Sequence, residues 1–270
     1  MLLGSILCVL ATGCDNRPTY PKVRLAQSLQ EIFVSDQLHA SVRFMDHTLA
    51  VGLEYPDALA QSGGQLGLGP GFDEASRKVL TAIHRVLLSS DAEVNFYVLL
   101  ISDPKIPGAY LTMVRYMDDV RRANANMLDT PEWFARTVFD LNFVGPEKRL
   151  TLEQYVPRDI HLEEFLSWQL ARRIQHALLE ELQGTGVADV GRCGGEFNNG
   201  EFVFTLNVEP ATAGSVLDET TMRKIFQTST SVIAHVLSGY QFRSFDTVRL
   251  VHPGTGRNIV LPKTRLEVFR

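Results

Sequence analysis

The chain has 270 residues, of which 45% are apolar and 21% are charged, and its formal net charge is -5. These proportions exclude a disordered chain and are typical of a globular protein of one or two domains with a sizeable core. The negative net charge argues against a nucleic-acid-binding protein, because such a protein usually turns a basic face towards phosphate groups.

The first 13 residues contain no charged side chain and are mostly apolar. A run of this length is too short to cross a bilayer as a helix. It ends in small residues directly before Cys14. This pattern resembles the lipobox of bacterial lipoproteins, in which a signal peptidase cleaves before the cysteine and lipid is attached to it. Two features depart from that pattern: Ala11 stands where leucine is usual, and no basic residue precedes the apolar run.

The resemblance implies a signal peptide over residues 1–13, lipidation of Cys14 with acyl chains such as palmitate, and a short tether over residues 14–22. The mature protein would then be anchored to a membrane of a bacterial cell envelope and face the periplasm or the exterior, since each buried CH₂ group contributes about 0.8 kcal/mol. The alternative is that the apolar run is a buried strand or helix. The resemblance covers this segment alone and identifies no family for the folded part. No later stretch reaches about 18 uninterrupted apolar residues, so we expect no transmembrane helix.

Residues 23–128 are predicted to form a first unit of two strands, a helix and two strands. Between Val79 and Leu87, apolar residues recur every three or four positions, which predicts an amphipathic helix. Short apolar runs bounded by turn-forming residues predict the strands, at residues 40–45, 48–55, 94–101 and 110–116.

The same order of elements recurs in residues 187–270. A helical pattern runs from Met222 to Leu237, and Asn199-Gly200 is a strong signal for a hairpin turn. The strands of this unit are predicted at residues 187–192, 202–209 and 245–251, and the last at residues 258–261 and 265–269 with an interruption at Pro262. The repeated order predicts an α+β fold of two similar antiparallel ββαββ units, with duplication as its origin and a chance match of a common pattern as the alternative.

Residues 129–186 are predicted to be a helical connector between the two units. Thr130 and Pro131 form a good helix start, and Val138 and Phe139 are assigned to the apolar side of that helix. The longest helical pattern covers residues 162–182. Because it lies between the units, we expect this helix to pack on one sheet or across both.

Three glycines, Gly67, Gly69 and Gly71, follow a predicted strand and precede a helix, which is where a phosphate-binding loop would lie. Their spacing is not that of the dinucleotide-binding motif, and Asp73 and Glu74 would place negative charge where a phosphate should bind. We therefore expect a flexible loop, and no cofactor is predicted.

Cys193 would be the only free thiol once Cys8 is removed with the signal peptide and Cys14 is lipidated. A catalytic cysteine needs a base that the fold places beside it. The alternative is an unpaired cysteine at a strand or turn, open to intermolecular pairing in an oxidising compartment. The histidines available as a base include His84, His176 and His235.

The adjacent acids Asp118 and Asp119 are expected at a solvated strand end, where neighbouring side chains point to opposite faces. His161 and Glu164 could present two ligands on one helix face, but no further ligand stands at a suitable spacing, so no metal site is predicted. The sequence contains no serine-hydrolase elbow, zinc-protease helix, Cys-x-x-Cys pair or phosphate-loop motif. No catalytic residue is assigned.

Two classes of function are open at this point. The first is a non-enzymatic envelope lipoprotein, a binding or assembly module that works through its surfaces, on another envelope protein for example, and not on nucleic acid. The second is an envelope hydrolase whose site is assembled from dispersed residues, because a scan for local motifs would miss such a site.

Overall fold

The computed structural model of the protein describes residues 19–148, 150–182, 186–212 and 214–266. The predicted signal peptide, residues 1–13, and Cys14 lie outside the described residues, so the lipobox stays a prediction. Within the described part, no helix combines the length and the apolar character needed to cross a bilayer. The predicted α+β fold class is confirmed, because helices and several β-sheets occur together.

Helices and strands alternate along most of the described chain. The α-helices there are α1 (Leu25–Ser35), α2 (Phe72–Leu88), α3 (Met117–Asn124), α4 (Thr130–Ala135), α5 (Leu152–Tyr155), α6 (Leu162–Leu182), α7 (Glu219–Gly239) and α8 (Lys263–Leu266). The strands there are β1 (His39–Phe44), β2 (Thr48–Glu54), β3 (Leu59–Ser62), β4 (Gln65–Leu68), β5 (Phe96–Ser102), β6 (Ala109–Tyr116), β7 (Val138–Phe143), β8 (Ala188–Val190), β9 (Gly194–Asn198), β10 (Glu201–Thr205), β11 (Val208–Pro210), β12 (Thr247–His252) and β13 (Arg257–Pro262).

The first large sheet has the strand order β1-β2-β5-β6-β7. Its strands β2 and β5 run parallel, whereas the other neighbours are antiparallel. A parallel pair needs a crossover connection, and α2 supplies it by carrying the chain back to the starting end of the sheet. The sequence analysis predicted a wholly antiparallel unit. The sheet is mixed instead, because β2 and β5 are parallel.

The second large sheet has the strand order β13-β12-β10-β9. Here β10 and β12 form the parallel pair, and α7 is the crossover between them. Strands β9, β10, β12 and β13 thus occupy the same relative positions as β1, β2, β5 and β6.

The first strand of the second sheet differs from the prediction for residues 187–192. The hairpin turn at Asn199 and Gly200 has φ values of 49° and 79°, the left-handed conformation that a two-residue turn requires. This turn pairs Asn198 with Glu201, so the strand is β9 rather than the earlier segment. The earlier segment contributes β8, which pairs with β11 in a separate two-stranded sheet.

The segment 129–186 is not purely helical, because it contains β7, which pairs with β6 and completes the first sheet. Val138 and Phe139 belong to this strand rather than to the apolar side of α4, which ends at Ala135. Apolar residues shortly after a helix start fit the helical period as well as a strand, so periodicity alone does not separate the two at Val138 and Phe139.

Helix α6 lies between the two sheets and packs against β9, β10 and α7 as well as against the first sheet. It buries residues around much of its circumference, as expected for a helix enclosed on several sides. Helices α1 and α2 cover the opposite face of the first sheet in a second core cluster. Ile83 on α2 and Ile233 on α7 are both fully buried, Ile83 in the second core cluster and Ile233 in the cluster that surrounds α6.

Candidate functional site

A cavity of about 540 Å³ lies between the first sheet, α6 and β9. Its apolar floor is formed by Val98, Val114 and Val138, which the strand alternation places on the face of the first sheet turned towards α6. Trp168 and Ala171 of α6 form one wall. The volume is that of a small-molecule site, and both sheets contribute to the lining.

One end of the cavity carries excess positive charge. The carboxylate of Asp140 accepts hydrogen bonds from both Arg172 and Arg192, and the Arg192 bond is 2.6 Å long. Asn142 holds this carboxylate from a third direction, at 2.8 Å. Burial lowers the pKa of the Arg172 guanidinium, and the like charge of Arg192 lowers it further against the pull of Asp140. Two guanidinium groups thus share one carboxylate, which leaves a formal charge of about +1 at this end.

The other end of the cavity carries excess negative charge. Arg158 and Glu164 form a bidentate ion pair with two bonds of 2.9 Å. Asp159 accepts from the backbone N–H of His47 at 3.0 Å, and Glu196 of β9 is exposed. Three carboxylates and one guanidinium line this end, so its formal charge is about -2. Glu164 and Arg172 are separated by two turns of α6, so the two ends lie about 12 Å apart.

Cys193 is a free cysteine that lies buried in the cavity wall. Burial raises the pKa of its thiol, although a hydrogen bond from the backbone of Asn207 and the charge of Arg172 oppose the shift. None of the residues lining the cavity is a histidine. The fold therefore places Cys193 beside a guanidinium and not beside a general base, and the thiol stays protonated near neutral pH.

The other candidate residues from the sequence do not converge. Glu164 pairs with Arg158, and His161 is exposed at the start of α6. In the described ranges no group of three or more metal-ligating side chains could hold a metal ion. Gly69 and Gly71 follow the β3–β4 hairpin, and a Cβ at Gly69 would lie 2.3 Å from the carbonyl oxygen of Asp57. These glycines permit a close backbone contact at the end of a β-hairpin, whereas a flexible loop was expected over this segment.

Asp119 is buried, contrary to the expectation of a solvated strand end, whereas Asp118 is exposed. The two acids lie in the first turn of α3, which turns one inwards and one outwards. Asp119 accepts from Arg136 at 2.7 Å and from the hydroxyl of Tyr240 at 2.6 Å. Burial raises the pKa of Asp119 against the effect of these hydrogen bonds.

This buried network joins the first unit to the second. Gln169 of α6 donates to the hydroxyl of Tyr240 at 2.9 Å and to the carbonyl of Arg136 at 2.8 Å. Its own carbonyl oxygen has no hydrogen-bond partner in the described part of the chain. The Arg136 guanidinium lies 4.4 Å from the centre of the Tyr240 ring. The network connects the end of α7 with α3, with α6 and with Arg136 directly after α4.

A third polar group, on the opposite face of the first sheet, is part of the core. Tyr97 accepts from Arg115 at 3.2 Å and bonds to His84 at 2.9 Å. Burial lowers the pKa of His84 to about 4 and raises the pKa of Tyr97 to about 12. Arg115 lies 4.2 Å from the ring of Trp133. His84 is therefore a neutral core histidine here rather than a catalytic base for Cys193.

Apart from Glu164, the charged residues of the cavity were not predicted from the sequence, because they are dispersed over β7, the segment before α6, α6 itself, the segment before β9 and β9. One local signal was present: Asp140 and Asn142 alternate with apolar residues, which indicates polar side chains on one face of a strand. Comparison of the chain with protein-family models, with curated proteins and with solved structures gives no match.

Proposed function

We propose that this protein is a non-enzymatic binding protein of a bacterial cell envelope, and that the cavity between the two sheets is its ligand site. The observation that carries the proposal is the lining itself: an apolar floor with oppositely charged ends, formed jointly by both units. Sites of this construction hold a ligand by its apolar body and orient it by a few polar groups.

The lining also favours binding over hydrolysis. The thiol of Cys193 is held protonated by burial, and the residues around the cavity include no histidine to activate it. The hydroxyl groups of Thr112 and Tyr155 bond to each other. The carboxylates of Asp140 and Glu164 are engaged by guanidinium groups. An envelope hydrolase, the alternative from the sequence, finds no specific support in this arrangement.

Envelope localisation rests on the N-terminal segment, and we propose that Cys14 carries the lipid anchor. The support is the coincidence of an apolar run, small residues and a cysteine at the N-terminus. Membrane fractionation with lipid labelling tests the proposal. We expect the wild-type chain to incorporate label in the membrane fraction, and Cys14→Ser to lose the label. Unchanged labelling of the variant would overturn the anchor.

We further propose that the two units are copies of one ancestral unit. The support is the common strand order, the parallel pair at equivalent positions, and a helix that precedes each first strand, α1 before β1 and α6 before β9. Helix α1 packs against β1, and α6 packs against β9 and β10. Placing α6 in the second copy makes it part of a unit rather than a connector.

The ligand site can be tested with N-phenyl-1-naphthylamine, a neutral apolar fluorophore that brightens in apolar surroundings. The chain from residue 15 onwards retains every residue that the structure describes and is used for this experiment. We expect saturable binding to the wild-type chain. Gly194→Phe should abolish it, because a Cβ at Gly194 meets nothing closer than Thr205 at 3.8 Å and its side chain would fill the cavity.

Gly67→Phe is the matched control, because a Cβ at that strand glycine has nothing within 4 Å and the position lies outside the cavity. This variant should bind the fluorophore as the wild-type chain does. Absence of saturable binding to the wild-type chain, or equal binding to the Gly194→Phe variant, would overturn the proposed ligand site.

A further inference from the structure

We propose that the ligand of the cavity is an apolar monocarboxylate, which places its carboxylate at Arg172 and Arg192 and its apolar body on the valine floor. This inference rests on the proposed ligand site and names the chemical class that the site accepts. Three features carry it: unused donors on the two arginines, the order of side chains across the first sheet, and the order of side chains along α6.

The two arginines at the basic end have more hydrogen-bond donors than their protein partners use. Arg172 donates to Asp140 and, at 3.5 Å, to Gln175. Arg192 donates to Asp140 at 2.6 Å and to Asn142 at 3.2 Å. A guanidinium carries a planar fork of N–H groups, so these bonds leave most donors of each side chain without a protein acceptor in the described part of the chain. A carboxylate is an acceptor whose geometry matches such a fork.

The charge at this end matches a group with a single negative charge. Two guanidinium groups share the one carboxylate of Asp140, which leaves about +1 to be neutralised. A carboxylate supplies about -1, whereas a phosphate monoester carries about -1.5 to -2 at neutral pH. Arg172 is also partly buried, with 28% of its side chain exposed against 59% for Arg192. A charge-assisted hydrogen bond to a partly buried guanidinium is stronger than one in water.

Strand pairing places the apolar floor directly beside the basic end. Val98, Val114 and Val138 lie opposite one another on β5, β6 and β7 and form one row across the first sheet. Asp140 follows Val138 by two residues on β7, and side chains two residues apart share one face of a strand. A ligand whose carboxylate binds the arginines beside Asp140 therefore has its apolar body over the valine row.

Helix α6 presents a matching order of side chains on the cavity wall. Glu164, Trp168 and Arg172 recur at four-residue spacing and all line the cavity, so they lie along one side of the helix. Trp168 extends the apolar surface between the charged ends. Glu164 belongs to the acidic end, whose excess negative charge repels a second anion. The cavity therefore favours a ligand with one carboxylate and an apolar remainder.

The acidic end needs no positive group on the ligand. Arg158 holds Glu164 in a bidentate pair with two bonds of 2.9 Å, and Asp159 accepts from the backbone N–H of His47. Glu196 is exposed and keeps its contact with water. The carboxylates at this end thus act on the ligand by excluding a second anion, which sets the direction in which the ligand lies.

Isothermal titration calorimetry of the chain from residue 15 onwards tests the ligand class on the wild-type protein. The probes are octanoate, 1-octanol, octyl phosphate and octanedioate, which share an apolar chain and differ in their polar groups. We expect octanoate to bind and 1-octanol to bind about tenfold more weakly, because charge-assisted hydrogen bonds to the arginines are lost. Octanedioate should also bind more weakly, since its second carboxylate meets the acidic end, and octyl phosphate should bind no more tightly than octanoate.

Arg192→Gln removes the more exposed guanidinium and should bring the affinities for octanoate and 1-octanol together. The variant should still bind N-phenyl-1-naphthylamine, because that fluorophore carries no charge. Arg223→Gln, an exposed arginine on α7 that does not line the cavity, is the matched control and should keep the tenfold preference. Glu196→Gln should narrow the difference between octanoate and octanedioate.

Equal binding of octanoate and 1-octanol, or an unchanged preference in Arg192→Gln, would overturn the carboxylate class. Tighter binding of octyl phosphate than of octanoate would overturn it in favour of a phosphate group, and equal binding of octanedioate would contradict the selection of a single anion. If the fluorophore binds and Gly194→Phe blocks it while octanoate fails to bind, the ligand class is wrong and the ligand site stands. If neither the fluorophore nor octanoate binds, the proposed ligand site itself is wrong.

Discussion

The close crossing of α6 over β9 at Gly195 provides the sharpest test of the fold around the cavity. A Cβ at this position would lie 2.2 Å from the carbonyl oxygen of Ser167 and 3.1 Å from the Cβ of Ala171. The neighbouring Gly194 would place a Cβ 3.8 Å from Thr205, an ordinary contact. The same substitution at two adjacent glycines therefore compares a forbidden contact with a permitted one.

The expected magnitudes follow from these distances. Gly195→Ala must push the helix and the strand apart by about 1 Å, and overpacking of this kind costs about 1–3 kcal/mol. Because the opposing atoms belong to the backbone and cannot rotate away, we expect a loss of about 3 kcal/mol. Gly194→Ala should be neutral or stabilise the protein by up to about 1 kcal/mol, because alanine restricts the unfolded chain.

Urea unfolding followed by circular dichroism measures both free energies of unfolding on the chain from residue 15 onwards. In thermal melts, Gly195→Ala should lower the midpoint by about 6–12 °C, at about 2–4 °C for each kcal/mol in a protein of this size. Equal stability of the two variants would refute the reasoning, since it would mean that α6 does not approach β9 at this point.

Ile83→Ala and Ile233→Ala should each lower the free energy of unfolding in urea by about 2–5 kcal/mol, because both side chains are fully buried. If Ile83→Ala lowers this free energy and Ile233→Ala leaves it unchanged, the proposed duplication is contradicted. Tyr240→Phe removes the hydroxyl that bonds to a buried oxygen of Asp119 and to one N–H of Gln169, and it should cost about 1–3 kcal/mol. Tyr20→Phe, half-buried near the start of the described chain, should change stability by at most about 0.5 kcal/mol. The pKa of His84 is held at about 4, below its ordinary 6.5, so between these pH values the unfolded chain binds a proton that the folded chain does not. The free energy of unfolding should therefore fall by up to about 3 kcal/mol as the pH drops from 6.5 to 4, and His84→Gln should reduce that fall. If the variant shows the same pH dependence of stability as the wild-type chain, His84 is not buried as a neutral group.

The candidate site could be predicted from the sequence only in part. Cys193 was recognised as a free thiol, and it does line the cavity. The arginines that give the cavity its basic end were not recognised, because Arg172 lies on a helix and Arg192 in a loop. Each is an ordinary charged residue in its local context. Asp140, which brings them together, is 32 residues from the first and 52 from the second.

The buried network around Asp119 could not be predicted from the sequence either. Asp119 was expected in solvent, since an acid beside several arginines usually lies in a solvated segment. Its burial depends on Tyr240, which is 121 residues away and reaches it from the end of α7. No spacing rule connects two residues at this distance, and only the packing of the second unit against α3 explains why the carboxylate is enclosed.

The sequence by itself determined the elements that arise from local forces. Hydrophobic periodicity placed α2 and α7 and the strands beside them, and Asn199-Gly200 marked a hairpin turn. This signal did not identify the strand before that turn, which is β9 and not residues 187–192. Only the tertiary structure decided that α6 would lie between both sheets, that β7 would complete the first sheet, and that charged ends would form across an apolar floor. The physical reason is that periodicity records which face of an element avoids water, whereas the partner of that face is chosen by the packing of the whole chain.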